Sequence, residues 1–225
     1  QYRLTGLDIG LARPFVSGLE ALEGRLQGQG RITGSLLAPW VEGDLQLLDG
    51  RVAGAGWPLN LDALAVQIQI VGQQLEVQGN WRSDELGRGQ FTGQLGWHEA
   101  LRARLAVSGS QLPVVVEPYA NLQVEPRLQL QLDEQGLALS GEVDVPSGLI
   151  EVRELPPQAV RVSADVEVVG AAPASERNLP LAMDVRLRVG AQRLRFRGFG
   201  LTAEVRGQLH MTDQLRSQGE LELLK

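Results

Sequence analysis

In "RLQLQLDEQGLALSGEVDVP" (127–146), Leu128, Leu130 and Leu132 alternate with Arg127, Gln129, Gln131 and Asp133. After a polar turn, Leu137, Leu139, Val143 and Val145 alternate with Ser140, Glu142 and Asp144. Successive side chains of a strand point to opposite faces, so each run has one apolar and one polar face. The same rhythm returns in "ALAVQIQI" (63–70), "QLEVQGNW" (74–81), "GQFTGQLGW" (89–97) and "LRARLAVSG" (101–109), and later in "AVRVSADVEVV" (159–169), "MDVRLRV" (183–189), "QRLRFRG" (192–198) and "LTAEVRGQLHM" (201–211). Short Gly- or Asp-containing turns separate the runs. This spacing predicts an all-β chain, an antiparallel meander of roughly eleven to thirteen strands rather than βαβ units.

Two stretches break the rhythm. In "RPFVSGLEALEG" (13–24), Phe15, Leu19 and Leu22 fall near helical spacing, with Pro14 suited to a first turn and Gly24 just past the end. That predicts one short amphipathic helix over about 13–23. "GAAPASERNLP" (170–180) has no periodicity and is expected to be a mobile loop. Glycine is also frequent inside the runs: Leu26, Gly28, Gly30, Ile32, Gly34 and Leu36 would share one face, half of them without side chains. Strand glycines mark strong curvature, or close approach of another group to the backbone.

A dozen strands spaced 4.7–4.9 Å apart would present a continuous Leu/Val/Ile face roughly 55 Å long. Soluble monomers seldom expose apolar patches beyond a few hundred Å². A second sheet, closure into a barrel, or folding into a groove around an apolar ligand would each cover it. Only ten of the 225 residues are aromatic, so the inner positions carry few large rings to lock a core. The outer positions are uniformly polar, as in a sheet with one buried face. Both features favour a long curved antiparallel sheet folded into a hydrophobic groove.

Composition closes other routes. No cysteine is present, which removes disulfides and thiolate metal sites, and the formal net charge of −6 is unlike a nucleic-acid binder. No stretch approaches the roughly 20 apolar residues of a transmembrane helix. "HEALR" (98–102) starts like the zinc-protease motif but places Arg102 where the second ligand belongs, and His98 and His210 are the only histidines. "GQGRITG" (28–34) lacks the spacing and lysine of phosphate-binding loops. No catalytic constellation, metal site or cofactor site is predicted, and the chain is not expected to be an enzyme.

"LSGEVDVPSGLIEVRELPPQAVRVSADVEVV" (139–169) resembles a segment of the TamB family, the inner-membrane subunit of the translocation and assembly module. The resemblance rests on Gly141, Val143, Val145, Pro146 and Ile150, then Leu155, Pro156, Ala159 and Val160, and then Ser163, Asp165, Val168 and Val169. Downstream, "LAMDVRLRVGAQRLRFRGFGLTAEVRGQL" (181–209) is similar to the family at Asp184, Leu187, Gly190, Phe196, Gly198 and Gly200, and at Leu201, Ala203, Gly207 and Leu209. The Gly-rich stretch 22–50 resembles its repeat units. One departure is Ala191 in "RVGAQ", where the family carries an acid.

The resemblance implies a lengthwise-folded, taco-like β-groove in the periplasm, anchored in the inner membrane through a helix not in this stretch. It implies partnership with an outer-membrane barrel of the Omp85 class (TamA-like). It further implies passage of phospholipids between the two membranes and assistance in outer-membrane protein assembly. The chain is expected to be a single groove-forming segment, 1–225, of a longer protein, near its C-terminus.

Alternation then assigns the groove lining. In the first half it is Ile32, Leu36, Ile68, Leu75, Val77, Leu95 and Leu105. In the second half it is Leu128, Leu130, Leu132, Leu139 and Val143, with Leu187, Phe196, Leu201 and Val205. Phospholipid acyl chains are the expected occupants. Arg186 and Arg188 would share a face of one strand, with Arg193, Arg195 and Arg197 on the next strand of a hairpin. Those arginines form either a solvated face balanced by Glu204 and Asp184, or a contact with an anionic surface. Trp81 and Trp97 end their runs in phase with the apolar face, as core or as groove rim. A rival to the lipid groove is a scaffold that templates substrate strands on its open edges.

Overall fold

A computed structural model describes residues 1–15, 18–35, 39–54, 56–98, 100–152, 181–213 and 216–224. Within them the alternating runs become thirteen strands. These are β1 (Tyr2–Asp8), β2 (Leu19–Gly34), β3 (Pro39–Gly54), β4 (Leu61–Gly72), β5 (Gln74–Ser83), β6 (Gly87–Gly96) and β7 (Arg102–Ser110). They continue with β8 (Leu112–Val116), β9 (Ala120–Asp133), β10 (Gly136–Val152), β11 (Leu181–Gly198), β12 (Leu201–Thr212) and β13 (Arg216–Leu224). All lie side by side in chain order in one sheet, with β7 and β8 sharing a lane against the two halves of β9.

Among the described residues, every ladder is antiparallel except one. β10 and β11 run parallel, from Leu137 opposite Leu181 to Val152 opposite Gly198. The sheet is therefore mixed, which corrects the wholly antiparallel expectation. Parallel neighbours require a crossover connection. The joining residues 153–180 lie outside the described residues, together with the run at 159–169 and the loop expected at 170–180.

The helix expected at 13–23 is also corrected. Ile9–Phe15 form a 3₁₀ segment, and β2 has begun by Leu19. In the β2–β3 ladder Leu19 opposes Gly54 while Ala21 opposes Ala53, so β2 carries an extra residue there. A bulge of this kind adds one residue to a period of two. The three-residue spacing of Leu19 and Leu22 is thus a strand with a bulge and only imitates a helical period.

Among the described residues, strands make extensive contact only with their ladder neighbours, apart from the 3₁₀ segment on β2 and a small contact between β6 and β8. Among the described residues no second sheet covers the apolar face and no barrel closes. The accessible surface is 16387 Å², against about 10,000 Å² for a compact domain of 24.4 kDa. The fold is an open sheet.

It is also curved. The Val115 N–H on β8 donates to the Pro58 carbonyl at 2.8 Å, so the loop between β3 and β4 reaches across the lanes of β5 and β6. Leu59 from that loop packs against Leu64, Trp81 and Leu112, all on the apolar face. The apolar face is the inside of the bend at this end. A second cluster joins Val145, Leu194 and Val205 with Val143, Leu187, Val189 and Phe196 on β10–β12.

Most of the space beside the apolar-face glycines is taken by the protein itself. A Cβ on Gly79 would meet the Phe91 ring at 2.5 Å, one on Gly89 the Trp81 ring at 2.0 Å, and one on Gly30 the Tyr2 ring at 2.6 Å. Rings laid over cross-strand glycines hold register and let the sheet bend.

Candidate functional site

Cross-strand register turns the alternation into rungs that run perpendicular to the strands. Leu45 stands opposite Ile68, Ile68 opposite Val77, and Val77 opposite Gly93. The line continues through Leu105, Leu130, Leu139 and Met183. The neighbouring rung holds Ile70, Leu75 and Leu95, then Ala103, Leu132, Leu137 and Leu181. Two rungs on one face are about 7 Å apart. Their side chains from β3 to β10 are half-buried, and none belongs to either buried cluster.

The opposite face is amide-rich. Gln27 donates to Gln46 (3.3 Å), Gln78 to Gln67 (2.7 Å), and Gln94 to Glu76 (3.4 Å). A one-residue slip would carry every leucine of a strand to this face, so these cross-strand pairs and the apolar rungs specify the same register.

The predicted lining residues divide into groups. Ile68, Leu75, Val77, Leu95, Leu105, Leu130, Leu132 and Leu139 lie on the two open rungs. Leu128 lies on the next rung, with Phe91 and Val107, which pack against the Trp81 cluster. Val143, Leu187, Phe196 and Val205 pack with one another in the second cluster, so they serve as the protein's own core. Ile32 and Leu201 are 60% and 61% exposed, away from the open rungs. Leu36 lies outside the described residues. Leu45, Ile70 and Leu137 were missed, although they obey the same period of two as the residues assigned.

Trp81 is core, 7% exposed, with its ring 6.2 Å from that of Phe91. Trp97 is half-buried just beyond β6, and Trp40 and Trp57 are exposed.

The arginines do not form a hairpin. Arg186, Arg188, Arg193, Arg195 and Arg197 belong to the single strand β11. Val145 opposes Val189 and Ser147 opposes Arg193, so β11 carries extra residues between these pairs. Gly190, at φ +76°, makes the turn of the backbone there; a Cβ would sit 1.9 Å from the Val205 carbonyl oxygen. The bulge changes the parity, leaving all five arginines exposed and Val185, Leu187, Leu194 and Phe196 less so.

Their partners come mainly from β10. Arg188 binds Asp144 at 2.6 Å and Glu142 at 3.2 Å; Arg127 binds the same two carboxylates, and Arg186 lies 3.9 Å from Glu142. The hydrogen bond that Arg188 donates to Asp144, the charge of Asp144 and that of Glu142 raise the Arg188 pKa above its ordinary value, against desolvation. Arg193 pairs with Glu204 at 3.0 Å, as expected, whereas Asp184 takes His210 at 2.7 Å instead of an arginine. Arg195 and Arg197 have no ion pair among the described residues.

A family model described as the TamB C-terminal domain matches residues 78–225. The chain belongs to the TamB family. It is similar to the translocation and assembly module subunit TamB of Haemophilus influenzae, at 22% identity over 175 residues. The matched stretch covers 77% of this chain and 13% of that relative, so the chain spans a small part of the length of the protein it resembles. No solved structure matches. The TamB match begins on β5 and takes in both open rungs from β6 onward together with the second buried cluster. Among the described residues of this TamB-family chain, no helix is long and apolar enough to cross a membrane. No three His, Asp or Glu side chains among them are grouped to hold a metal ion.

Proposed function

We propose that this chain is a periplasmic segment of a translocation and assembly module, and that its apolar face forms a groove shielding phospholipid acyl chains from water between the inner and outer membranes. The observation that carries the reading is the pair of apolar rungs, one running from β3 and the other from β4 across neighbouring strands to β11, which no second layer covers among the described residues. Each methylene removed from water contributes about 0.8 kcal/mol, so an acyl chain along a rung is held by several kcal/mol without any directed polar contact. A track of interchangeable Leu, Ile and Val side chains binds without trapping, as transport requires. In the full-length protein an inner-membrane anchor and a TamA-like barrel of the Omp85 class would supply the two ends of the route.

A second reading is a scaffold for outer-membrane barrel assembly. It is favoured by the outer edges of β1 and β13, which have no ladder partner among the described residues, since an unpaired edge can accept a substrate strand. Organic extraction and mass spectrometry of the chain purified without detergent separates the two. Phospholipid in the parent, lost from a folded Leu105→Arg variant, supports the groove. A lipid-free parent sinks it and favours the scaffold.

A further inference from the structure

The connection between β11 and β12 is strained in a way that nothing inside the sheet uses. Gly198 pairs with Leu201, so the turn consists of Phe199 and Gly200 alone. Their φ angles are +53° and +76°. A two-residue hairpin turn with both φ values positive is filled with least strain by Asn-Gly or Asp-Gly. A bulky aromatic residue at positive φ is an outlier, and such outliers gather where a protein makes a contact or changes state. Phe199 gains no packing in return, being 66% exposed, and the next residue, Leu201, is 61% exposed.

Behind this tip stand two arginines without an ion pair among the described residues. Arg186, Arg188 and Arg193 have carboxylates within 4 Å, whereas Arg195 and Arg197, nearest the turn, are exposed and uncommitted among the described residues. An exposed ring, an adjacent leucine and two guanidinium groups without an ion pair among the described residues match a bilayer interface layer by layer. The ring and the leucine enter the acyl boundary, while the guanidinium groups take the phosphates. An acidic protein surface would satisfy the arginines but would leave the ring without a role. We propose that the β11–β12 hairpin tip docks the sheet onto an anionic phospholipid surface. This contact is separate from the apolar rungs and does not depend on their holding lipid.

The test is co-sedimentation of the 225-residue chain with phosphatidylglycerol–phosphatidylethanolamine vesicles, against phosphatidylcholine vesicles. Phe199→Asn places at the turn a residue it accepts with less strain, so loss of binding by that variant is not loss of folding. The parent is expected to bind the anionic vesicles, and Phe199→Asn to weaken binding about tenfold or more. Replacing Arg195 and Arg197 by Gln is expected to weaken it about fivefold each. Val71→Ser, which alters an equally exposed apolar side chain (70%) on β4, away from the turn and from the open rungs, is expected to bind like the parent. A parent that ignores anionic vesicles, or a Phe199→Asn variant that binds them undiminished, overturns the proposal. Binding that needs the arginines but not the ring also overturns it, and would indicate a purely electrostatic partner such as an acidic protein.

Discussion

Leu105 on β7 stands directly opposite Leu130 on β9, with Gly93 of β6 on its other side. Gly93 offers no side chain, and Val77 and Leu105 close over it, each within 3.1 Å of where its Cβ would lie, so the apolar rung runs on across β6 without a gap. Leu105 is only half-buried and belongs to neither cluster. Leu105→Arg is therefore expected to fold, its long side chain reaching water over the face, and to lose co-purifying phospholipid. Circular dichroism melting beside lipid mass spectrometry checks both halves. A melting point within a few degrees of the parent, with undiminished lipid, contradicts the assignment.

Leu194 is the counter-case, 2% exposed between Val145 and Val205. Its truncation leaves a cavity that a curved sheet, tied at both neighbours, cannot close. Leu194→Ala is expected to cost about 2–5 kcal/mol in urea unfolding, and Leu105→Ala less than about 1.5 kcal/mol. Equal costs would mean that the open rungs are packed like a core.

The period of two made the class of fold, and the side chains that share the apolar face, readable from the sequence. Ile68, Val77 and Leu105 lie where alternation puts them because a strand has no other way to bury one side. Features that insert a residue were not readable. The extra residue between Leu19 and Ala21 imitated a helix, and the bulge at Gly190 made one long strand look like two. Pairings set by distant residues were hidden as well: Asp144 meets Arg188 only because β10 and β11 are parallel neighbours. Alternation also could not distinguish Val205 from Leu130. Both face the same side, and only the packing of β10–β12 makes one a core residue and the other an open one.

Trp81 carries a cost at its centre. Its Nε1–H is buried and has no hydrogen-bond partner among the described residues, a deficit of about 1–3 kcal/mol for a donor taken out of water. Trp81→Phe removes the orphan donor together with part of the ring, so the two effects oppose each other. Leu112→Ala, in the same cluster, removes only packing. In equilibrium unfolding, Trp81→Phe is expected to lose less than about 1.5 kcal/mol, and Leu112→Ala about 2–5 kcal/mol. A larger loss for Trp81→Phe would show that the donor is satisfied in solution.

Gly6 and Gly190 share nearly the same backbone, at φ +74° and +76°. They differ in surroundings: a Cβ on Gly6 meets nothing within 4 Å, whereas one on Gly190 would lie 1.9 Å from the Val205 carbonyl oxygen. Alanine at both positions therefore separates conformational strain from steric conflict. Gly6→Ala should cost about 1–2 kcal/mol, the ordinary cost of an L-residue in the left-handed region. Gly190→Ala adds a clash with backbone, and relieving it means pulling β11 from β12 beside Leu194 and Val205. It is expected to cost clearly more than Gly6→Ala in denaturant unfolding, and to speed hydrogen exchange on β11 and β12 while leaving β4–β6 protected. Similar costs for the two variants would mean that the bulge at Gly190 relaxes easily. The five arginines of β11 would then not be fixed on one face by it.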